Sequence, residues 1–135
     1  MTGLGKGTER MKKLVVVQPL CELQGSGRME NILADILGKF ENEGVVIESI
    51  VKASELESID MRNRHVLFAI SLTEAGVNIE YYRMLEYFRS CPDCLEGSVG
   101  GIIVDGQSEL FTKALARRLA FSANAAGCKI GRAHV

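Results

Sequence analysis

Short apolar, β-branched runs alternate along this chain with longer stretches of helical period, the pattern of a parallel α/β sheet. Leu14-Val15-Val16-Val17 is a continuous apolar run, as a strand covered on both faces requires. After a loop from Gln18 to Arg28, the residues Met29, Ile32, Leu33, Ile36, Leu37 and Phe40 recur at three- and four-residue spacing. Glu30, Asp35, Lys39 and Glu43 lie mostly opposite, which predicts an amphipathic helix ended by Gly44. Val45 to Val51 reads as a second strand, and the charged, weakly periodic stretch from Lys52 to Arg64 as a short helix or irregular crossover. A third strand, His65 to Ser71, leads into a helix whose Val77, Tyr81, Met84, Leu85 and Phe88 share a face. That helix is expected to end near Cys91-Pro92, because a proline disfavours helical backbone in the residue before it. The fourth strand is Val99 to Val104. The longest helix follows, with Ser108 as N-cap, Gly127 after its end, and Phe111, Leu115, Leu119, Ser122 and Ala126 in one stripe. Cys128-Lys129-Ile130 begins a fifth strand.

Composition narrows the class of function. Sixteen Lys and Arg face 17 Asp and Glu in 135 residues, a formal charge of −1, so broad neutralisation of nucleic-acid phosphates is not what this chain is built for. With 47% hydrophobic residues it is too apolar for disorder. No apolar run reaches the roughly 20 residues a transmembrane helix needs, and Leu14 to Val17 after Lys12 and Lys13 is too short to be a secretory leader. Residues 1–10 read as a loose polar tail and 11–135 as one domain. Four thinly spread cysteines, Cys21, Cys91, Cys94 and Cys128, suit a reducing cytoplasm better than a disulfide scaffold.

In an open parallel sheet, ligands bind beyond the carboxyl ends of the strands, where connections diverge to opposite faces. The loops Gln18 to Arg28, Leu72 to Asn78 and Asp105 to Ser108 occupy that edge. Gln24-Gly25-Ser26-Gly27-Arg28 precedes a helix and offers backbone N–H groups, a hydroxyl and a guanidinium to an anion at the positive end of the helix dipole. The plainer alternative is a turn allowed by Gly25 and Gly27, capped by Ser26, with Arg28 in solvent. Both stay open on the residues alone.

The element order, the Gly/Ser loop after the first strand, the turn after the third and the Gly-rich strand leading to Asp105-Gly106-Gln107-Ser108-Glu109 resemble the flavodoxin-like fold, and within it the NAD(P)H-dependent FMN reductase family. That resemblance implies a three-layer α/β sandwich with a parallel sheet of four to five strands in the order 2-1-3-4-5. It implies FMN, with Gln24, Gly25, Ser26, Gly27 and Arg28 at the phosphate. Thr73, Glu74, Ala75, Gly76 and Asn78, with Asp105, Gly106 and Gln107, would face the isoalloxazine ring. The flavin would carry the chemistry, so no catalytic side chain is nominated. It further implies NAD(P)H as electron donor, a small acceptor, and a homodimer in the cytoplasm, with neither nucleic acid nor membrane as partner. Four β-α units use the chain through Gly127, leaving eight residues where the family fold has a strand and a closing helix. The reading therefore has two forms: a last strand left uncovered and shielded by a partner chain, or a lost C-terminal helix that compromises the flavin site. The absence of Trp and of a Pro-x-Tyr after the third strand speaks for a second reading, a flavodoxin-like interaction module without flavin.

A third reading places Cys21 and Arg28 in a phosphatase-like loop, similar to the low-molecular-weight tyrosine phosphatases, where a thiolate attacks phosphorus and an arginine holds the oxyanion. Six residues separate Cys21 from Arg28 where that family has five, and Glu22 would raise the thiol pKa; a buried or incidental cysteine is the alternative. Cys91-Pro92-Asp93-Cys94 has Cys-x-x-Cys spacing, but at a helix end, where the dipole opposes a thiolate. It reads as an exposed pair of thiols in a loop, and no metal is assigned because no partner ligands stand at zinc spacing. His65 falls at the amino edge, away from the candidate loops, and His134 close to the terminus.

Overall fold

A computed structural model describes residues 13–19, 28–71, 79–105 and 109–134. Five parallel strands form one sheet in the order β2-β1-β3-β4-β5. They are β1 (Lys13–Val17), β2 (Val46–Ile50), β3 (His65–Ser71), β4 (Val99–Asp105) and β5 (Lys129–His134). Among the described residues three helices connect them: α1 (Arg28–Asn42) after β1, α2 (Ile79–Ser90) after β3 and α3 (Glu109–Ala125) after β4. A 3-10 helix, Ala53–Ser58, crosses from β2 to β3. The expected sheet order and three-layer arrangement are therefore present, and no described helix is long and apolar enough to cross a membrane.

Side-chain alternation assigns the two faces. Val15, Val17, Val66, Phe68, Ile70, Ile102 and Val104 point to the larger core, which α2, α3 and the 3-10 helix close with Leu56, Tyr81, Met84, Leu85, Phe88, Leu115 and Leu119. Phe68 meets Phe88 edge to face at 5.9 Å, a pairing that contributes about 0.5–1.5 kcal/mol beyond burial. Tyr81 is buried, and its hydroxyl donates to the Leu115 carbonyl at 3.3 Å, linking α2 to α3. On the other face Leu14, Val16 and Ala69 pack under Met29 and Leu33 of α1. Among the described residues α1 is the sole helix on that side. Leu67 and Ile103 are only half-buried there, and Val99, on the same face by register, is 41% exposed.

The predicted helix stops hold. Gly44 (φ +81°) follows α1, and Gly127 (φ +101°) follows α3. The third and fourth strands fall where the β-branched runs are; β2 is one residue shorter at each end than the sequence suggests, and α2 ends at Ser90, just before Cys91-Pro92. His134 closes β5, where it pairs with Ile103 of β4. The Cys91–Cys94 segment departs from expectation more clearly. Both thiols are half-buried in a turn, because Leu95 is drawn into the core and its amide donates to the Ala126 carbonyl at 2.9 Å.

At the amino edge the connections interlock through backbone. Asn63 N–H donates to Glu96 O at 3.0 Å, and Lys129 N–H to Ser98 O at 2.8 Å. The buried Ser98 hydroxyl donates to the Met61 carbonyl and accepts from Arg64 N–H. The Arg64 guanidinium lies beside the carboxylate of Glu48 at 3.4 Å. His65 is exposed at this edge, as the sequence suggests.

Candidate functional site

The opposite edge is set by strand order. From β1 the chain moves through α1 to β2 on one side, then crosses back over the other face to reach β3 on β1's far side. The connections thus diverge between β1 and β3, and the carboxyl ends of these strands are the usual ligand position in an open α/β sheet. β1 leaves the sheet under control: Gln18 N–H extends the ladder by donating to Ile50 O at 2.8 Å, and Pro19 is buried.

Two nominated residues lie within the described structure. Arg28 is the first residue of α1, so the phosphate-type segment runs directly into that helix's N-terminus. The unpaired amides of a first turn and the helix dipole attract anions there. Asp105 is the last residue of β4, half-buried, opposite Ser71 in the parallel register. Both stand on the α1 face, two residues beyond Ile103 and Ala69 respectively. The helix start and the two polar strand ends therefore belong to the same side of the sheet. Gln24, Gly25, Ser26, Gly27, Thr73, Glu74, Ala75, Gly76, Asn78, Gly106 and Gln107 lie outside the described residues, as do Cys21 and Ser108.

Ser71 was not singled out from sequence, although a polar residue closing an apolar strand is the available signal. Thr112, fully buried one turn into α3, was missed as well; helical periodicity does not mark a lone hydroxyl. Glu30 occupies the first turn of α1 and is exposed, so a carboxylate of the chain's own already sits near the positive helix end. At this edge, Glu80 in the first turn of α2 accepts from Ala53 N–H at 2.7 Å and pairs with Arg83 at 2.8 Å. The amide hydrogen bond, followed by Arg83, holds the Glu80 carboxyl below the usual range. No group of three or more metal-ligating side chains occurs among the described residues.

The same topology recurs in solved proteins. Oxidised flavodoxin 1 from Bacillus cereus matches with a TM-score of 0.67 at 17% identity, over 91% of this chain and 83% of its own. The fold is flavodoxin-like. A flavodoxin from Streptococcus pneumoniae TIGR4 gives 0.62 at 18% identity, over 91% of this chain and 82% of its own. The Fusobacterium nucleatum flavodoxin bound to flavin mononucleotide gives 0.60 at 12% identity, over 88% and 68%. No protein-family model and no curated protein matches the sequence. The flavodoxin-like architecture is thus shared at 12% to 18% sequence identity.

Proposed function

We propose that this chain binds FMN at the carboxyl edge between β1 and β3 and serves as an oxidoreductase, passing electrons from NAD(P)H to a small acceptor. The observation that carries the proposal is the convergence at that edge of the α1 N-terminus with the Ser71 and Asp105 strand ends, in a fold shared with an FMN-bound flavodoxin. The described residues fit such a group at both ends. The first turn of α1 offers amides to a phosphate, with Arg28 as the candidate guanidinium from the sequence, and Asp105 and Ser71 are polar strand ends next to the segments nominated for the ring. When bound, the flavin would supply hydride and single-electron chemistry. The chain's task is to bind and orient: amides and Arg28 at the phosphate, strand-end polar groups beside the ring, and the packed strands beneath to exclude water.

Titration of FMN with the purified protein tests this directly. The reading expects quenched flavin fluorescence, a perturbed visible spectrum and bleaching by NADPH; unquenched FMN at saturating protein would refute it. Quenching without bleaching would retain the flavin and refute the NADPH step. One observation favours the flavin-free interaction module instead, the position of Glu30, whose charge opposes an incoming phosphate.

A further inference from the structure

Cys91 and Cys94 flank a tight turn whose central residues are Pro92 and Asp93. Proline fixes the first central dihedral, and Cys94 N–H donates to the Cys91 carbonyl at 3.3 Å, closing the turn. Such a turn holds its first and fourth Cα atoms within about 7 Å, overlapping the roughly 4.4–6.8 Å span of a disulfide. Its exit is held as well: Glu96 N–H donates to Asp93 O at 3.1 Å, and Leu95 N–H to Ala126 O. Both sulfurs are half-buried free thiols, and Cys94 packs against the core while Cys91 donates to the Asp93 carboxylate at 3.7 Å.

We propose that Cys91 and Cys94 form a redox-active dithiol, oxidised to an intramolecular disulfide by low-molecular-weight disulfides. This site lies in the connection from α2 to β4 at the amino edge, remote from the proposed flavin site and independent of it. Burial and the shared hydrogen bond with Cys91 push the Cys94 thiol up to about 12, so Cys94 is not the group that reacts first near neutrality. The Cys91 thiolate attacks one sulfur of the reagent, forming a mixed disulfide and expelling one thiolate, which takes up the proton Cys91 released. Cys94 then loses its proton and attacks the Cys91 sulfur, forming the protein disulfide and releasing the second reagent thiol. Two protein thiols are oxidised and one small disulfide is reduced to two thiols. A helix C-terminus does not stabilise a thiolate, so this pair differs from a thioredoxin-type centre that attacks other proteins' disulfides.

The test is to incubate the intact reduced protein with 2-hydroxyethyl disulfide, an uncharged reagent suited to a thiol beside Asp93, and to map tryptic peptides by mass. The peptide spanning residues 90–113 contains Cys91 and Cys94 and no other cysteine. The expected result is loss of two hydrogens within that peptide, reversed by dithiothreitol, and a trapped mercaptoethanol adduct on Cys91 in Cys94→Ser. Adducts persisting on both sulfurs of the native protein would overturn the proposal. So would an unchanged peptide, or a disulfide that includes Cys21 or Cys128.

Discussion

The carboxylate of Glu80, in the first turn of α2, accepts a hydrogen bond from the amide of Ala53, at the start of the 3-10 helix, across 27 residues of chain. It ties the crossover from β2 to the helix that follows the Leu72 to Asn78 loop. The side chain is only 15% exposed, so its loss strands an amide that water reaches poorly.

Glu80→Ala is expected to cost about 1–2 kcal/mol of stability, the range for a partly shielded hydrogen bond to a charged group. Because the folded-state pKa is depressed, the unfolded chain takes up the proton first. The contribution is complete above the ordinary glutamate range near ~4.3 and disappears as the pH falls through the lower folded value. Denaturant titrations from neutral pH down to about pH 3 should show the gap between the native protein and Glu80→Gln narrowing with acid. A constant gap would remove the ionised carboxylate from the explanation.

Gly127 is a second point of dependence. A Cβ there would stand 2.7 Å from Glu96 Cα, and φ is +101°, so both space and backbone exclude a side chain. Gly127→Ala should lower stability by about 2–4 kcal/mol, combining left-handed strain with overpacking against backbone. Urea unfolding checks it, and a change under about 0.5 kcal/mol would show that the Glu96 segment yields easily.

Glu30 makes the flavin reading quantitative. Removing its charge from the first turn of α1 should tighten FMN by about 2- to 5-fold at low salt, equivalent to roughly 0.3–1 kcal/mol near a helix end. The gain should shrink at high salt, where exposed charges are screened, and be absent for riboflavin, which carries no phosphate. Equal gains for both ligands would place the phosphate elsewhere.

The extent of sequence legibility followed the range of the interactions. β3 and β4 were readable because their apolar runs supply the larger core, and Gly44 and Gly127 because a helix stop is local. The crossover was readable only as a short helix or irregular segment, and the 3-10 helix Ala53–Ser58 answers to the first. Its bounds were not legible because it is organised by Glu55, which accepts from Val51 and Lys52 N–H, and by Glu80 far along the chain. The burial of Cys94 likewise depends on Leu95's partner Ala126 just past the end of α3, a contact that spacing does not report. For the site, Arg28 and Asp105 could be placed at the carboxyl edge from element order alone, whereas Ser71 required the register between β3 and β4.

The backbone interlock of Asn63, Glu96, Ser98, Ala126 and Lys129 sits wholly at the amino edge, while the proposed ligand contacts hang from the other end of the same strands. This backbone interlock is thereby segregated from recognition along the strand axis, whereas the tie from Glu80 to Ala53 shares the recognition end. A designer exchanging the carboxyl-edge connections to change the ligand would leave the interlock untouched and would have to keep Glu80 against Ala53.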